Sequence, residues 1–179
     1  WCAYFRLKIG EILPQSTRRC LYLDTDTLIL QDIRELFTYD LGQCAIGAVR
    51  SGISSPSTIP IVRDGLIAKE EYCNSGVLLI DLTKWREHDL SKIQSFPYTM
   101  FADQDFINVT FKGKIAFLPY RWNLGWLEPR RIHFLPTQQS FSHQDSQNTS
   151  FIAHKALYSF DEFASALLRP AIVHLLGGY

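Results

Sequence analysis

Apolar and polar positions along the chain form alternating segments that are typical of strands and helices. Apolar runs predict strands at 20–23, 28–30, 45–49, 76–80, 114–118 and 171–176. Helical patterns cover residues 5–13, 83–88, 102–111 and 159–168, and loops are predicted at 51–60 and 126–150. Strands that alternate with helices predict an α/β fold: one domain with a mostly parallel central sheet.

Two of the predicted helices carry clear local signals. Phe5, Ile9, Ile12 and Leu13 fall on one face of the first helix, which Pro14 ends. The last helix opens on Ser159-Phe160-Asp161-Glu162, a capping-box pattern.

Composition excludes several classes of partner. Acidic and basic residues are equal in number, at 18 each, so the chain has no net positive charge that would attract nucleic acid. No apolar run approaches the roughly 18 residues that span a bilayer. The four cysteines are widely and irregularly spaced, which favours reduced structural thiols: Cys2, Cys20, Cys44 and Cys73. We expect a location in the cytoplasm, or peripherally on the inner membrane face through regions outside this chain.

The triplet Asp24-Thr25-Asp26 directly follows an apolar strand. Side chains two residues apart leave an extended backbone on the same side, so the carboxylates of Asp24 and Asp26 repel each other unless a positive group lies between them. A hard divalent cation such as Mg²⁺ or Mn²⁺, with diphosphate oxygens completing its shell, satisfies that need. The alternative is a solvated turn after a strand.

Other polar residues allow a functional and a structural interpretation. His174, on the last strand, is a metal ligand or a satisfied core histidine. Asn74 and Ser75 begin a buried strand and need partners, which sugar hydroxyls or turn hydrogen bonds provide. The guanidinium of Arg6 either donates paired hydrogen bonds to a phosphate or sugar, or belongs to an ordinary surface arginine. Three polar residues at the start of helix 102–111 cap that helix or bind a ligand: Asp103, Gln104 and Asp105.

Residues 22–26, Tyr-Leu-Asp-Thr-Asp, resemble the strand-end motif of glycosyltransferase family 8. That family includes bacterial lipopolysaccharide galactosyl- and glucosyltransferases and glycogenin. Further blocks resemble the family in the same order: Arg6 to Glu11, Tyr72 to Leu82, Lys84 to Arg86, Asp103 to Asp105 with Asn108, Phe111 to Lys114, Leu118 to Asn123, and His174 to Gly177. These blocks are distributed over nearly the whole chain apart from 51–70 and 126–158.

The resemblance implies a single Rossmann-like nucleotide-sugar-binding domain of the glycosyltransferase A type. It implies metal-dependent transfer of a hexose, with retention, from UDP-glucose or UDP-galactose to a hydroxyl of a glycan or lipid-linked saccharide. Synthesis of lipopolysaccharide or another cell-surface glycan is the expected setting.

The resemblance also implies residue roles. Mn²⁺ or Mg²⁺ would be held by Asp24, Asp26 and His174. The donor would contact Arg6, Asp24, Asn74, Ser75 and Gly177. Gln104 would lie beneath the anomeric carbon, with Asp103 and Asp105 close by.

The sequence departs from the family's pattern at both ends. The first βαβ region, which holds base and ribose, has no counterpart before Trp1, and the family's Lys-Pro-Trp has none before Tyr179. We therefore expect residues 1–179 to be part of a larger catalytic domain. Two alternatives are a non-catalytic nucleotide-sugar-binding relative and a haloacid dehalogenase-type phosphatase. The phosphatase motif needs Thr or Val where Leu28 stands, and a later acidic pair that is missing.

Overall fold

A computed structural model of the chain describes residues 2–52, 56–97, 99, 101–125 and 156–175. Its strands are β1 (Arg19–Leu23), β2 (Thr27–Ile29), β3 (Ile46–Arg50), β4 (Cys73–Asp81), β5 (Ile115–Phe117), β6 (Leu124–Gly125) and β7 (Ile172–His174). Its α-helices are α1 (Ile9–Ile12), α2 (Arg34–Phe37), α3 (Pro60–Arg63), α4 (Leu82–Trp85), α5 (Ala102–Thr110) and α6 (Phe160–Leu168). Short 3-10 helices lie at Cys2–Lys8, Pro56–Thr58, Leu90–Ser95 and Tyr120–Trp122.

Strand β4 is central in a four-stranded sheet with the order β1-β4-β3-β5. It runs antiparallel to β1 and β3, and only β5 is parallel to its neighbour β3. Leu78 and Ile80 pack in one hydrophobic core, while Val77 packs in a second core. The predicted strands are confirmed, but the expected mostly parallel pairing is wrong for the described strands. The apolar run of β4 reflects burial on both faces, which is usual in parallel sheets but here belongs to a strand with antiparallel neighbours.

A second sheet of three strands has the order β2-β7-β6. Strand β7 is antiparallel to β2 and parallel to β6. The interrupted apolar run from residue 20 to residue 30 therefore contributes one strand to each sheet. The turn that joins these strands contains Asp24 and Asp26, so the acidic triplet lies where the two sheets meet.

The N-terminal segment is helical, but only part of its expected apolar face is buried: Ile9 and Leu13 pack against the first hydrophobic core. Its first part, Cys2–Lys8, is a 3-10 helix that continues into α1. Phe5 and Ile12 are 67% and 68% exposed, whereas Arg6 is only 7% exposed. A 3-10 helix has three residues per turn, so the spacing of a regular α-helix does not apply. Ion pairs with Asp24 and Asp103 also hold Arg6 in its buried position, as described below.

Two helices confirm their sequence signals, and the first of them supports the site. Helix α5 presents the fully buried Asp105 and Asn108, and Asn108 bonds to β4. Helix α6 is capped as predicted, because Ser159 Oγ accepts a hydrogen bond from the Glu162 amide at 3.2 Å. Its Phe163 packs against Tyr120 with ring centroids 5.6 Å apart.

Two expectations concern residues outside the described range: the loop predicted at 126–150 and the role of Gly177. Within the loop predicted at 51–60, a 3-10 turn leads into α3. Cys20, Cys44 and Cys73 are free thiols. Within the described residues, no helix is long and apolar enough to cross a membrane.

Candidate active site

The acidic triplet forms a tight turn that continues the register of β1. The Asp24 amide donates to the Gly76 carbonyl at 2.8 Å, so Asp24 lies opposite Gly76 on β4. The Asp24 carbonyl accepts from the Thr27 hydroxyl at 2.7 Å, which closes the turn before β2. Asp24 is therefore held by the first sheet, while Asp26 stands at the start of the second.

His174, the last residue of β7, lies beside this turn and is 2% exposed. Its Nε2 atom is 3.2 Å from Asp26 Oδ1 and 3.7 Å from Asp24 Oδ2. One ligand atom from each of the three residues lies within 4.8 Å of the others. Strand pairing explains the meeting, because His174 pairs with Thr27, next to Asp26. The expected convergence of the three side chains is confirmed, although it occurs at a junction of two sheets rather than at one sheet edge.

The three side chains suit a divalent cation. Neighbouring ligands of an octahedral Mg²⁺ at about 2.1 Å lie about 3 Å apart, close to the separation of His174 from Asp26. Two carboxylates offer hard oxygen ligands, and an imidazole nitrogen is also accepted by Mn²⁺. The group can therefore hold a metal ion.

Gly76 provides the space for this arrangement. A Cβ atom at Gly76 would overlap His174 Cε1 and lie 2.6 Å from His174 Nδ1 and 2.9 Å from Asp24 Oδ2. A glycine inside a strand often marks such a close approach. That signal was present in the sequence, yet sequence reasoning did not place Gly76 in the site.

Arg6 joins two of the expected acidic residues. Its Nη2 donates to Asp24 Oδ1 at 2.8 Å, and its Nε lies 3.0 Å from Asp103 Oδ2. Its Nη1 donates to the Ser75 carbonyl at 2.7 Å and to Ser75 Oγ at 3.0 Å. The guanidinium thus orients both carboxylates and the start of β4. Burial raises the pKa of the Asp103 carboxyl, and the charge of Arg6 opposes that rise.

Tyr22 completes the support of Asp24. Its hydroxyl donates to Asp24 Oδ1 at 2.6 Å, and its ring lies 4.6 Å from the Arg6 guanidinium carbon. Burial and the bond to Asp24 raise the pKa of Tyr22, so its hydroxyl stays protonated and remains a donor. Asp24 therefore has one oxygen bound by Arg6 and Tyr22, and a second oxygen directed toward His174.

Gln104 has a side chain fixed at both ends. Its Oε1 accepts from Asn74 Nδ2 at 3.1 Å and from the Ser75 amide at 3.0 Å. Its Nε2 donates to the Tyr72 hydroxyl at 2.7 Å, which in turn donates to Asp105 Oδ1 at 2.6 Å. Asp105 is fully buried, so its connection to the site runs through Tyr72 and Gln104.

The amides of Asn74 and Asn123 connect Gln104 with His174. Asn74 Oδ1 accepts from the Gly76 amide at 2.9 Å and from Asn123 Nδ2 at 2.8 Å. Asn123 Oδ1 lies 3.1 Å from His174 Nδ1. The structure thus brings together every expected site residue within its described range. Sequence reasoning missed Tyr22, Tyr72, Gly76 and Asn123 as site residues, although each lies in or beside a block of the resemblance.

Comparison with known proteins agrees with this geometry. The family model for glycosyl transferase family 8 matches residues 2–152. The chain belongs to this family. The haloacid dehalogenase-type interpretation is therefore set aside.

Curated relatives of this family 8 chain come from bacteria and plants. General stress protein A of Bacillus subtilis is 27% identical over an alignment of 130 residues, and the match covers 68% of this chain and 44% of the relative. Lipopolysaccharide 1,2-glucosyltransferase of Escherichia coli is 29% identical over an alignment of 136 residues, and the match covers 67% of this chain and 37% of the relative. Probable galacturonosyltransferase-like 8 of Arabidopsis thaliana is 31% identical over an alignment of 143 residues, and the match covers 67% of this chain and 35% of the relative. The chain spans less than half the length of these relatives.

Solved structures show the same fold. The galactosyltransferase LgtC, in complex with donor and acceptor sugar analogs, superimposes with a TM-score of 0.63 at 27% identity. The match covers 97% of this chain and 58% of LgtC. The bifunctional glycosyltransferase WbbM superimposes with a TM-score of 0.71 at 20% identity, covering 98% of this chain and 31% of WbbM. The family 8 chain has the α/β fold of A-type glycosyltransferases.

Proposed function

We propose that this chain carries the site for metal-dependent, retaining transfer of a hexose from a UDP-sugar to a hydroxyl acceptor. The observation that carries the proposal is the convergence of Asp24, Asp26 and His174 at the junction of the two sheets. The same hydrogen-bond network extends from His174 to Gln104. Family membership supports the reaction class, and the resemblance supplies the UDP donor and the retention.

Mn²⁺ is the proposed ion, with Mg²⁺ as the alternative. Asp24 Oδ2, one oxygen of Asp26 and His174 Nε2 are the atoms that would hold it. A bound ion would act as a Lewis acid that stabilises negative charge on the leaving diphosphate. Arg6 and Tyr22 hold Asp24 in the required orientation. Because Gly76 has no side chain, Asp24 and His174 have room to approach each other.

The residues around Gln104 are proposed to hold the transferred sugar. Gln104 would lie beneath the anomeric carbon, with Asp103 beside it. Because Gln104 Oε1 already accepts bonds from Asn74 and Ser75, we assign it a role in orienting the sugar rather than that of a nucleophile. Hydrogen bonds to other protein groups occupy Arg6, Asn74 and Ser75. We therefore propose that these residues support donor binding by holding the site in shape.

The wider role is proposed from the relatives. The name of the Escherichia coli relative supports an acceptor in lipopolysaccharide, and another glycan or lipid-linked saccharide is the alternative. UDP-glucose and UDP-galactose are the candidate donors. We propose that residues 1–179 form part of a larger catalytic domain that works in the cytoplasm or on the inner membrane face.

Release of UDP from UDP-glucose and UDP-galactose by the full-length protein tests the proposal. Asp26→Asn removes a charged ligand and should abolish Mn²⁺-dependent turnover while thermal unfolding stays close to wild type. Asp32→Asn is the matched control, because Asp32 is an exposed acid whose partner is Arg34. Wild-type protein that binds UDP-sugars without turning them over would favour the non-catalytic alternative.

A further inference from the structure

The two ring nitrogens of His174 have different surroundings. Nε2 faces the carboxylates of Asp24 and Asp26, whereas Nδ1 lies 3.1 Å from Asn123 Oδ1. A neutral imidazole has one protonated nitrogen and one lone pair, and only the lone pair can bind a metal ion. Which nitrogen of His174 carries the proton therefore decides whether Nε2 is ready for a cation.

A backbone amide shows which nitrogen of His174 is protonated, because it fixes the direction of the hydrogen bonds that lead to the ring. The Gly76 amide can only donate, so the Asn74 side-chain atom 2.9 Å away must be the oxygen. An oxygen at that place requires Asn123 to present its NH₂ group, at 2.8 Å. The oxygen of Asn123 then faces His174 Nδ1, and an oxygen acceptor requires a proton on Nδ1.

A second backbone group gives the same answer independently. The Ser75 amide donates to Gln104 Oε1 at 3.0 Å, which fixes that atom as the oxygen. Asn74 must then present its NH₂ group to Gln104, at 3.1 Å. The orientation of Asn74 is thus determined from both of its ends, and the orientation of Asn123 follows from it.

We propose that Asn123 is a positioning residue that holds the proton of His174 on Nδ1 and leaves the Nε2 lone pair directed at the cation site. Asn123 and His174 are 4% and 2% exposed, so protein groups rather than bulk solvent surround this bond. The strands place the pair, since Asn123 directly precedes β6 and Gly125 pairs with His174. Partners of this kind fix the tautomer of metal-binding histidines. The inference rests on the proposed metal role of His174.

Nitrogen NMR of the ring in the metal-free, full-length protein tests the tautomer directly. The signals of His174 are assigned by their loss in His174→Gln. In wild type we expect a protonated Nδ1, because Asn123 Oδ1 is its acceptor. In Asn123→Leu the acceptor is gone, so the proton should move to Nε2, beside the carboxylates. An unprotonated Nδ1 in wild type, or an unchanged tautomer in Asn123→Leu, would overturn the inference.

Two variants separate this role from general packing. Asn123→Asp keeps an oxygen acceptor at Nδ1 and should retain the wild-type tautomer, which a purely structural role for the amide would not predict. Asn108→Leu removes another buried amide, whose bonds go to the Cys73 backbone and the Gln104 carbonyl. It should leave His174 unchanged. If Asn123→Leu does not fold, the wild-type spectrum still decides whether Nδ1 carries the proton.

Calorimetric titration with Mn²⁺ connects the tautomer with the metal. Loss of such a partner typically weakens metal binding about 10- to 100-fold, and we expect that range for Asn123→Leu. Equal Mn²⁺ affinity in Asn123→Leu and wild type would overturn the inference while leaving the proposed function intact. Wild-type protein with the expected tautomer but no affinity for Mn²⁺ would instead overturn the proposed metal role.

Discussion

Gly76 and His174 are in such close contact that a Cβ atom at residue 76 would overlap the imidazole ring. Gly76→Ala should therefore displace His174 from Asp24 and Asp26. We expect the affinity for Mn²⁺ to fall at least about 10-fold, as for other disturbed metal sites. Calorimetric titration of Mn²⁺ into the full-length variant and wild type measures the change.

Gly47→Ala is the control for this substitution. A Cβ atom at Gly47 would lie 2.8 Å from Leu41 Cδ2 and 3.1 Å from Leu118 Cδ2, in the hydrophobic interior rather than at the site. Overpacking of this kind costs about 1–3 kcal/mol of stability, but metal affinity should remain that of wild type. If Gly76→Ala bound Mn²⁺ as well as Gly47→Ala does, His174 would not be a ligand.

Arg6 is the cation that balances Asp24 and Asp103. Arg6→Ala leaves both carboxylates without this partner, and loss of one member of a buried ion pair costs about 3–5 kcal/mol. Because both carboxylates keep some exposure to solvent, we expect the lower end of that range. Urea unfolding of the full-length protein measures the loss. Arg34→Ala, which removes an exposed arginine paired with Asp32, should change stability little. Equal stability of the two variants would contradict the role given to Arg6.

The Tyr72 hydroxyl connects Gln104 with Asp105. Tyr72→Phe leaves the buried Asp105 carboxylate without that donor, so the free energy of unfolding should fall by about 1–3 kcal/mol. Turnover of the UDP-sugar should fall as well, because Gln104 loses the contact that fixes its NH₂ group. Tyr158→Phe removes a comparable hydroxyl, which donates to the Arg50 carbonyl at 3.2 Å, outside the site. It should lose stability without losing turnover, and equal turnover in both variants would argue against a role for Gln104.

Much of the fold could be predicted from the sequence, because strands and helices leave local signals. The apolar run of β4 and the capping box of α6 are such signals. The meeting of Asp24, Asp26 and His174 could also be predicted, since each lies at the end or start of a strand. The direction of strand pairing could not, because β4 is apolar on both faces and such a strand suits either direction.

The burial of Arg6 and the network around Asn123 depend on contacts between distant parts of the chain. The sequence places Arg6 on a helix surface or at a phosphate, but two of its partners, Asp24 and Ser75, lie 18 and 69 residues away in the sequence. Asn123 lies 51 residues before His174. Pairs of this kind become visible only when the register of the strands is known.

We propose that sugar transfer requires a divalent cation held by Asp24, Asp26 and His174. The most direct measurement is UDP release by the full-length protein after treatment with EDTA, followed by addition of Mn²⁺ or Mg²⁺. In wild type, turnover should disappear in EDTA and return with the added ion, whereas in Asp26→Asn it should not return. Turnover that persists in EDTA would contradict this requirement for a cation.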